Sequence, residues 1–309
     1  MTHKLAVIGM GGIAQKGYLP VLSTWEDIEL LFYSRTPENV QRVAKQYRVN
    51  KTTSDLNQVL DWRPDSVFIL TPTPTHFQLA TMFLNDGMDV YMEKPATEKS
   101  SDTERLAKLA DEKNRILMIA FNRRYSPLNQ KGKEMWGDRT IALANFQKSR
   151  PKPNFKGLFM HINEELVHVI DMVRFLCGEA TAINTVCTLG SDELVLEVAS
   201  LLKLDKGGFV SLTACLQTGH WYENYELNGQ STTLRINCFR DMQWITDGKI
   251  QTWIEPYDST WNSNLVGRGF VNQISHFFRC VKTREQPLTN GWDSIKTQQL
   301  VEDIVAKVK

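Results

Sequence analysis

The chain has 309 residues, 42% of them hydrophobic and 23% charged, with a formal net charge of +1. That length suits two domains of ordinary size, and the composition is that of a globular protein. With charge near zero and no run of five Lys or Arg, nothing electrostatic points to nucleic acid or an anionic membrane surface. A small molecule or another copy of the chain is the expected partner.

No apolar run approaches the ~20 residues that span a bilayer. Leu5-Ala6-Val7-Ile8 gives way at once to glycines, too short for an export signal. The five cysteines (Cys177, Cys187, Cys215, Cys238, Cys280) are odd in number and contain no CxxC pair. They read as reduced, packed thiols, and a cytoplasmic setting is expected.

In chain order, the first half alternates short β-rich runs with helical stretches. The runs cover residues 4–8, 28–33, 66–70, 89–92 and 116–120, each apolar almost throughout, as strands covered on both faces are. Helix-compatible segments include 38–47, 75–85 and 101–114, and Pro37 and Ser54 serve as start signals. This order predicts an α/β, doubly wound parallel sheet of the Rossmann kind.

The second half has another period. Gly207-Gly208, Asn228-Gly229 and Asp247-Gly248 each stand between β-favouring segments and suit tight hairpin turns. Residues 209–216 and 243–254 partly alternate large apolar and polar side chains, as an antiparallel sheet with one exposed face does. Helical stretches follow at 270–281 and 293–309. The expected division is an α/β domain at 1–122 and an α+β domain at 123–309 with a large, mostly antiparallel open sheet. An open face of that kind predicts a homodimer or higher oligomer through it.

Gly9-Met10-Gly11-Gly12-Ile13-Ala14 follows the first run directly and opens a helix. In this G-x-G-x-x-A pattern the first Gly permits the tight turn and the second lets the backbone approach a pyrophosphate. The small third residue allows close helix–strand packing. Amide groups at the helix start then stabilise the diphosphate, so a dinucleotide is expected. The second run ends in Tyr33-Ser34-Arg35-Thr36, without the acid that NAD sites place there. A hydroxyl followed by a guanidinium suits a 2′-phosphate, so NADP is preferred and NAD is the alternative. The competing view leaves Arg35 as an exposed loop residue.

Three further segments stand where the C-terminal ends of parallel strands cluster: Thr71-Pro72-Thr73-Pro74-Thr75-His76, Glu93-Lys94-Pro95 and Phe121-Asn122-Arg123-Arg124-Tyr125-Ser126-Pro127. Ligands of such sheets bind at these ends. In the second half, Glu164 and His168 are four apart and Asp171 three further on, one face of a regular helix. A carboxylate one turn from an imidazole fixes its tautomer and favours its protonated form, as a proton shuttle requires. The competing reading is an acid at a helix N-terminus and a histidine satisfied in the core. His161, His220 and the cysteines lack metal-ligand spacing, so no metal is expected. Trp221, Trp244, Trp253, Trp261 and Trp292 read as sheet and interface packing.

With these motifs in order and spacing, the whole chain resembles the Gfo/Idh/MocA oxidoreductase family. Gly12-Ile13-Ala14-Gln15-Lys16, Phe121-Asn122-Arg123-Arg124 and Arg268-Gly269-Phe270 are similar to its MviM-like branch. The resemblance implies hydride exchange between a nicotinamide and a secondary alcohol or carbonyl of a sugar, polyol or sugar derivative. It places Lys94 beside the reacting carbon, where an ammonium polarises or anchors the reacting oxygen. It sets His168 as the proton carrier, oriented by Glu164, which stands where the family's Asp-x-x-x-His-x-x-Asp pattern has Asp. His161-Ile162-Asn163 replaces the glycine-rich approach common before that helix. Gly9, Gly11, Gly12, Ile13, Ala14, Ser34, Arg35, Thr36, Thr71, Thr73, His76, Glu93, Lys94 and Asn122 are assigned to the cofactor, and Arg123 and Asp171 to the substrate. Two rivals stay open: a regulatory protein that senses NAD(P) or a sugar without turnover, and a lyase or hydrolase with retained NAD.

Overall fold

The computed structural model describes residues 2–153, 155–254 and 264–308. The chain divides into two compact units, 1–121 with 270–295, and 122–269 with 296–309.

The first unit is built on six parallel strands in the order β3-β2-β1-β4-β5-β6. They are β1 (His3–Ile8), β2 (Ile28–Tyr33), β3 (Lys51–Thr53), β4 (Ser66–Ile69), β5 (Asp89–Met92) and β6 (Leu117–Ile119). Five of the six follow the predicted runs, and the doubly wound sheet is the one expected from the sequence. The strand order reverses between β1 and β4, which is where such sheets bind ligands. Leu5, Ala6, Val7 and Ile8 are wholly buried, as a central parallel strand requires.

The sequence gives no sign of β3, because three residues graded from exposed to buried carry no period. One helix start also moves. Asp55, not Ser54, caps Leu56–Trp62, its carboxylate accepting from the Asn57 amide at 2.9 Å.

The helix Phe270–Thr283 belongs to this unit, although its sequence follows the second half. Phe277 packs edge-on against Phe68 and Tyr91, which stack on each other at 4.3 Å. Arg284 donates to both Asp89 carboxylate oxygens, at 2.6 and 3.0 Å. Thr289 exchanges two hydrogen bonds with the Ile119 backbone. Aromatic packing on β4 and β5, an ion pair to β5 and hydrogen bonds to β6 thus hold a segment that chain order alone assigns elsewhere.

The second unit carries an eight-stranded sheet in the order β14-β13-β12-β11-β7-β10-β9-β8. These are β7 (Leu143–Ser149), β8 (Ala180–Leu189), β9 (Val195–Leu204), β10 (Phe209–Cys215), β11 (Tyr222–Gly229), β12 (Thr232–Asn237), β13 (Asp241–Thr246) and β14 (Lys249–Ile254). Only the β7–β10 pair is parallel. Asp247-Gly248 makes the expected tight turn, both residues with positive φ. The turn expected at Asn228-Gly229 moves two residues on, to Gln230 and Ser231, whose φ values are 50° and 57°. Gly229 ends β11 instead; a Cβ there would stand 2.1 Å from the Thr140 carbonyl oxygen.

One face of this sheet is apolar and covered. Ala144, Phe146, Val210, Leu212, Leu227 and Leu234 are wholly buried, beneath helices that include Pro127–Trp136 and Val167–Cys177. The opposite face leaves Leu143, Val186, Leu201 and Phe209 more than two-fifths exposed. Among the described residues, no helix is long and apolar enough to cross a membrane. Trp244 packs against Trp136, Trp292 bonds Asp111, and Trp261 lies outside the described residues.

Candidate active site

At the switch point of the parallel sheet, Gly9 takes φ +105° while its amide donates to the Tyr33 carbonyl of β2 at 3.0 Å. A Cβ at Gly9 would lie 2.8 Å from the Leu70 carbonyl oxygen, so the backbone just after β4 closes this side of the turn. At Gly11 and Gly12 a Cβ would meet nothing within 4 Å. Ala14 is wholly buried, and Ile13 is exposed. The turn is tight beneath and open above, and the helical residues that follow begin at its rim. This cradle fits the diphosphate of a dinucleotide.

The loop after β2 places Ser34 half-buried and Arg35 and Thr36 exposed. The Thr36 amide reaches the Ser34 hydroxyl at 3.4 Å, so that loop turns back on itself. After β4, Thr71 and Thr75 share a 2.7 Å hydroxyl contact, and Thr73 is buried.

His76, also expected at the cofactor, lies inside the fold of this unit. It is wholly buried, with one ring nitrogen 2.9 Å from the Pro95 carbonyl and the other 2.8 Å from the Thr71 carbonyl. The ring ties two strand-end loops together, and its polar atoms are turned inward to the chain.

Lys94 is half-buried at the end of β5, and the Lys94–Pro95 peptide is cis. The preceding Glu93 is buried and accepts from the Lys94 amide at 2.9 Å and from the Tyr18 hydroxyl at 2.6 Å. Burial first, and then the Glu93 charge, push the Tyr18 phenol well above its usual range, so it stays a donor. Tyr18 lies in a π turn, Ala14–Tyr18, between the glycine cradle and the rest of its helix. Sequence reasoning passed over it. Its only signal is a polar-tipped aromatic in an otherwise apolar stretch, which resembles ordinary core packing.

In the second unit, a helical run from Leu158 to Cys177 carries the expected acid–base residues, but it is not one regular helix. An α turn (Leu158–His161) passes into a π turn (Ile162–Leu166) and then an α-helix (Val167–Cys177). His168 and Asp171 keep regular spacing. Glu164 lies within the wider π turn, so the four-residue argument does not carry across to it. Glu164 and His168 are both half-buried.

Asp171 and Arg123, both expected at the substrate, each form a buried ion pair inside this unit. Asp171 is wholly buried; its two oxygens accept from Arg124 at 2.8 and 2.6 Å, and Thr297 adds a bond at 2.9 Å. Arg123 donates to both oxygens of buried Glu223, at 2.5 and 2.7 Å, and Tyr225 donates to the same carboxylate. Burial alone would raise the Glu223 pKa, but the charge and hydrogen bonds of Arg123, with Lys148, bring it down to about 2. Asn122 is buried and donates to the Arg268 carbonyl at 2.8 Å. Gly269, with φ +80°, lies so close that a Cβ would stand 2.1 Å from the Asn122 carbonyl oxygen. This accounts for the glycine of Arg268-Gly269-Phe270.

The charged line continues through Lys148, directly across from Glu223 in the β7–β11 register. Lys148 is buried and bonds the Glu165 carboxylate at 2.8 Å, and Arg150 reaches the same carboxylate at 3.3 Å. No group of three or more His, Cys, Asp or Glu able to hold a metal is found among the described residues.

Residues 3–121 match the family model described as an oxidoreductase family with an NAD-binding Rossmann fold. Among curated relatives, the YceM protein of Salmonella typhimurium is 29% identical over 97% of this chain and 96% of its own length. A D-apiose dehydrogenase of Paraburkholderia graminis is 23% identical over 97% of this chain and 86% of its own. A solved dehydrogenase, MviM of Clostridium difficile, superposes with a TM-score of 0.91 over 99% of both chains at 24% identity, which speaks to the fold.

Proposed function

We propose that the chain, whose residues 3–121 match the oxidoreductase family model, belongs to the Gfo/Idh/MocA family and is an NAD(P)-dependent dehydrogenase or reductase of a secondary alcohol or carbonyl in a sugar, polyol or sugar derivative. The observation that carries this reading is the glycine turn at the sheet's switch point, closed below by Leu70 and open above Gly11 and Gly12. The relative named for D-apiose supports the substrate class.

The bound nicotinamide supplies the hydride chemistry. Gly9, Gly11 and Gly12 hold the diphosphate, and Ser34, Arg35 and Thr36 take the adenosine ribose. The guanidinium and hydroxyl favour a 2′-phosphate, hence NADP. Lys94 is assigned to anchor and polarise the reacting oxygen, and His168 to take or return a proton, with Glu164 the acid of the same motif. Tyr18, through Glu93, positions the Lys94 backbone.

The test is turnover of a sugar and polyol panel with NADP+ and NAD+. Lys94→Ala should lower kcat at least about 100-fold while NADPH still quenches or shifts its fluorescence on binding. Unchanged turnover of an identified substrate in that variant would overturn the assignment. Arg35→Ala should weaken NADPH more than NADH, by about 10-fold; equal loss would remove the NADP preference. The exposed face holding Leu143, Leu201 and Phe209 supports a homodimer through the sheet, and light scattering that returns a monomer would contradict it.

A further inference from the structure

His161 and Asn163 stand two residues apart where the α turn passes into the π turn, upstream of His168. Both are wholly buried. Both ring nitrogens of His161 and both amide atoms of Asn163 lack a hydrogen-bond partner in the protein. Native folds leave few buried polar atoms in that condition. Four on two neighbouring side chains, at a π turn of the kind that recurs at functional sites, call for a ligand.

The donor set narrows its chemistry. Burial, with help from Lys148 and Arg150 and against Glu165, brings the His161 pKa down to about 4, so the ring is neutral at pH 7. A neutral imidazole offers one donor and one acceptor, and the Asn163 amide offers a donating NH2 and an accepting carbonyl. The cations nearby, Lys148 and Arg150, both bond Glu165. A carboxylate or phosphate only accepts, and would leave the His161 lone pair and the Asn163 carbonyl unanswered. A hydroxyl donates and accepts, and satisfies both sides.

We propose that His161 and Asn163 form a hydroxyl-binding subsite that takes neighbouring hydroxyls of an uncharged sugar or polyol. The inference rests on the sugar and polyol reading above, and it names residues outside the family pattern as specificity determinants.

The experiment compares the wild type with His161→Phe and Asn163→Leu on a panel substrate and its mono-deoxy analogues. In the wild type, deleting one hydroxyl should cost about 10-fold in kcat/KM. Each variant should lose about the same on the parent substrate, mainly in KM, while its discrimination between the parent and that deoxy analogue falls to within about 2-fold. The variants should also melt at or above the wild type, because apolar replacements remove unsatisfied buried atoms. Lower melting, or failure to fold, with unchanged discrimination would make the pair structural and overturn the subsite. Should the wild type bind NADPH yet oxidise nothing in the panel, the activity assignment fails first. Calorimetric titration of the NADPH-loaded protein with myo-inositol then decides the subsite: binding lost in both variants keeps it, and no binding in the wild type overturns it.

Discussion

In the first unit, the candidate site residues sit on turns whose shape comes from backbone geometry, and their polar side chains are answered nearby. Glu93 meets Tyr18, His76 meets two carbonyls, and Thr71 meets Thr75. In the C-terminal unit they sit beside a line of buried charges, Arg123, Glu223, Lys148, Glu165 and Arg150, that ends near two side chains with unanswered polar atoms. On the proposed reading, the first arrangement serves as a fixed mould for the cofactor and the second as a polar lining answered by the substrate, as a unit that sets specificity requires.

The sharpest way to break that contrast is to unpair the charged line. Arg123→Met leaves Glu223 buried without its bidentate partner, and chemical denaturation should show a loss of about 3–5 kcal/mol. A loss below 1 kcal/mol would mean the line contributes little to holding the unit.

Next in size is the acid response of His161. Its folded pKa of about 4 lies below the unfolded value near 6.5, so the unfolded chain binds more protons between those limits. The stability is complete above pH 6.5 and is lost as pH falls toward 4, by about 3 kcal/mol at most. Glu165, Lys148 and Arg150 are the charged groups acting on the ring. Melting curves of wild type and His161→Phe should diverge across that window, with the variant flatter; parallel curves would dismiss the effect.

The glycines sharpen the comparison from the other unit. Gly9→Ala meets the Leu70 backbone at a strained φ and should cost about 2 kcal/mol along with nucleotide binding. Gly12→Ala enters open space, so its stability should hold or rise slightly while NADPH affinity falls about 10-fold or more. Equal destabilisation by both would refute the picture of a turn closed below and open above. The smallest effect is Tyr18→Phe, which removes one bond to Glu93 and should cost about 1 kcal/mol. If Tyr18 positions Lys94, kcat falls with KM little changed; a purely structural role moves stability alone.

Much of the first unit was legible because its signals are local. Buried parallel strands are continuous apolar runs, and a tight turn needs glycine whatever lies around it. The same locality explains the errors. The strand at Lys51–Thr53 is too short to show a period, and the cap moved one residue from Ser54 to Asp55. In the second unit, hairpin turns were visible where Gly filled them and displaced where Gln230 and Ser231 adopted positive φ instead. Arg123 and Asp171 stand in the sequence as lone charges, because nothing local reveals that their ion-pair partners lie 100 and 47 residues away.

By itself the sequence determined the alternating β and helical order, the nucleotide turn and the antiparallel second half, since each depends on residues adjacent in the chain. Only the tertiary structure decided which charges neutralise one another, and that Phe270–Ile295 joins the first unit. It also placed the π turn that breaks the spacing from Glu164 to His168. Packing of distant segments buries these groups and lowers the local dielectric that makes their pairing strong, and no window along the chain contains that information.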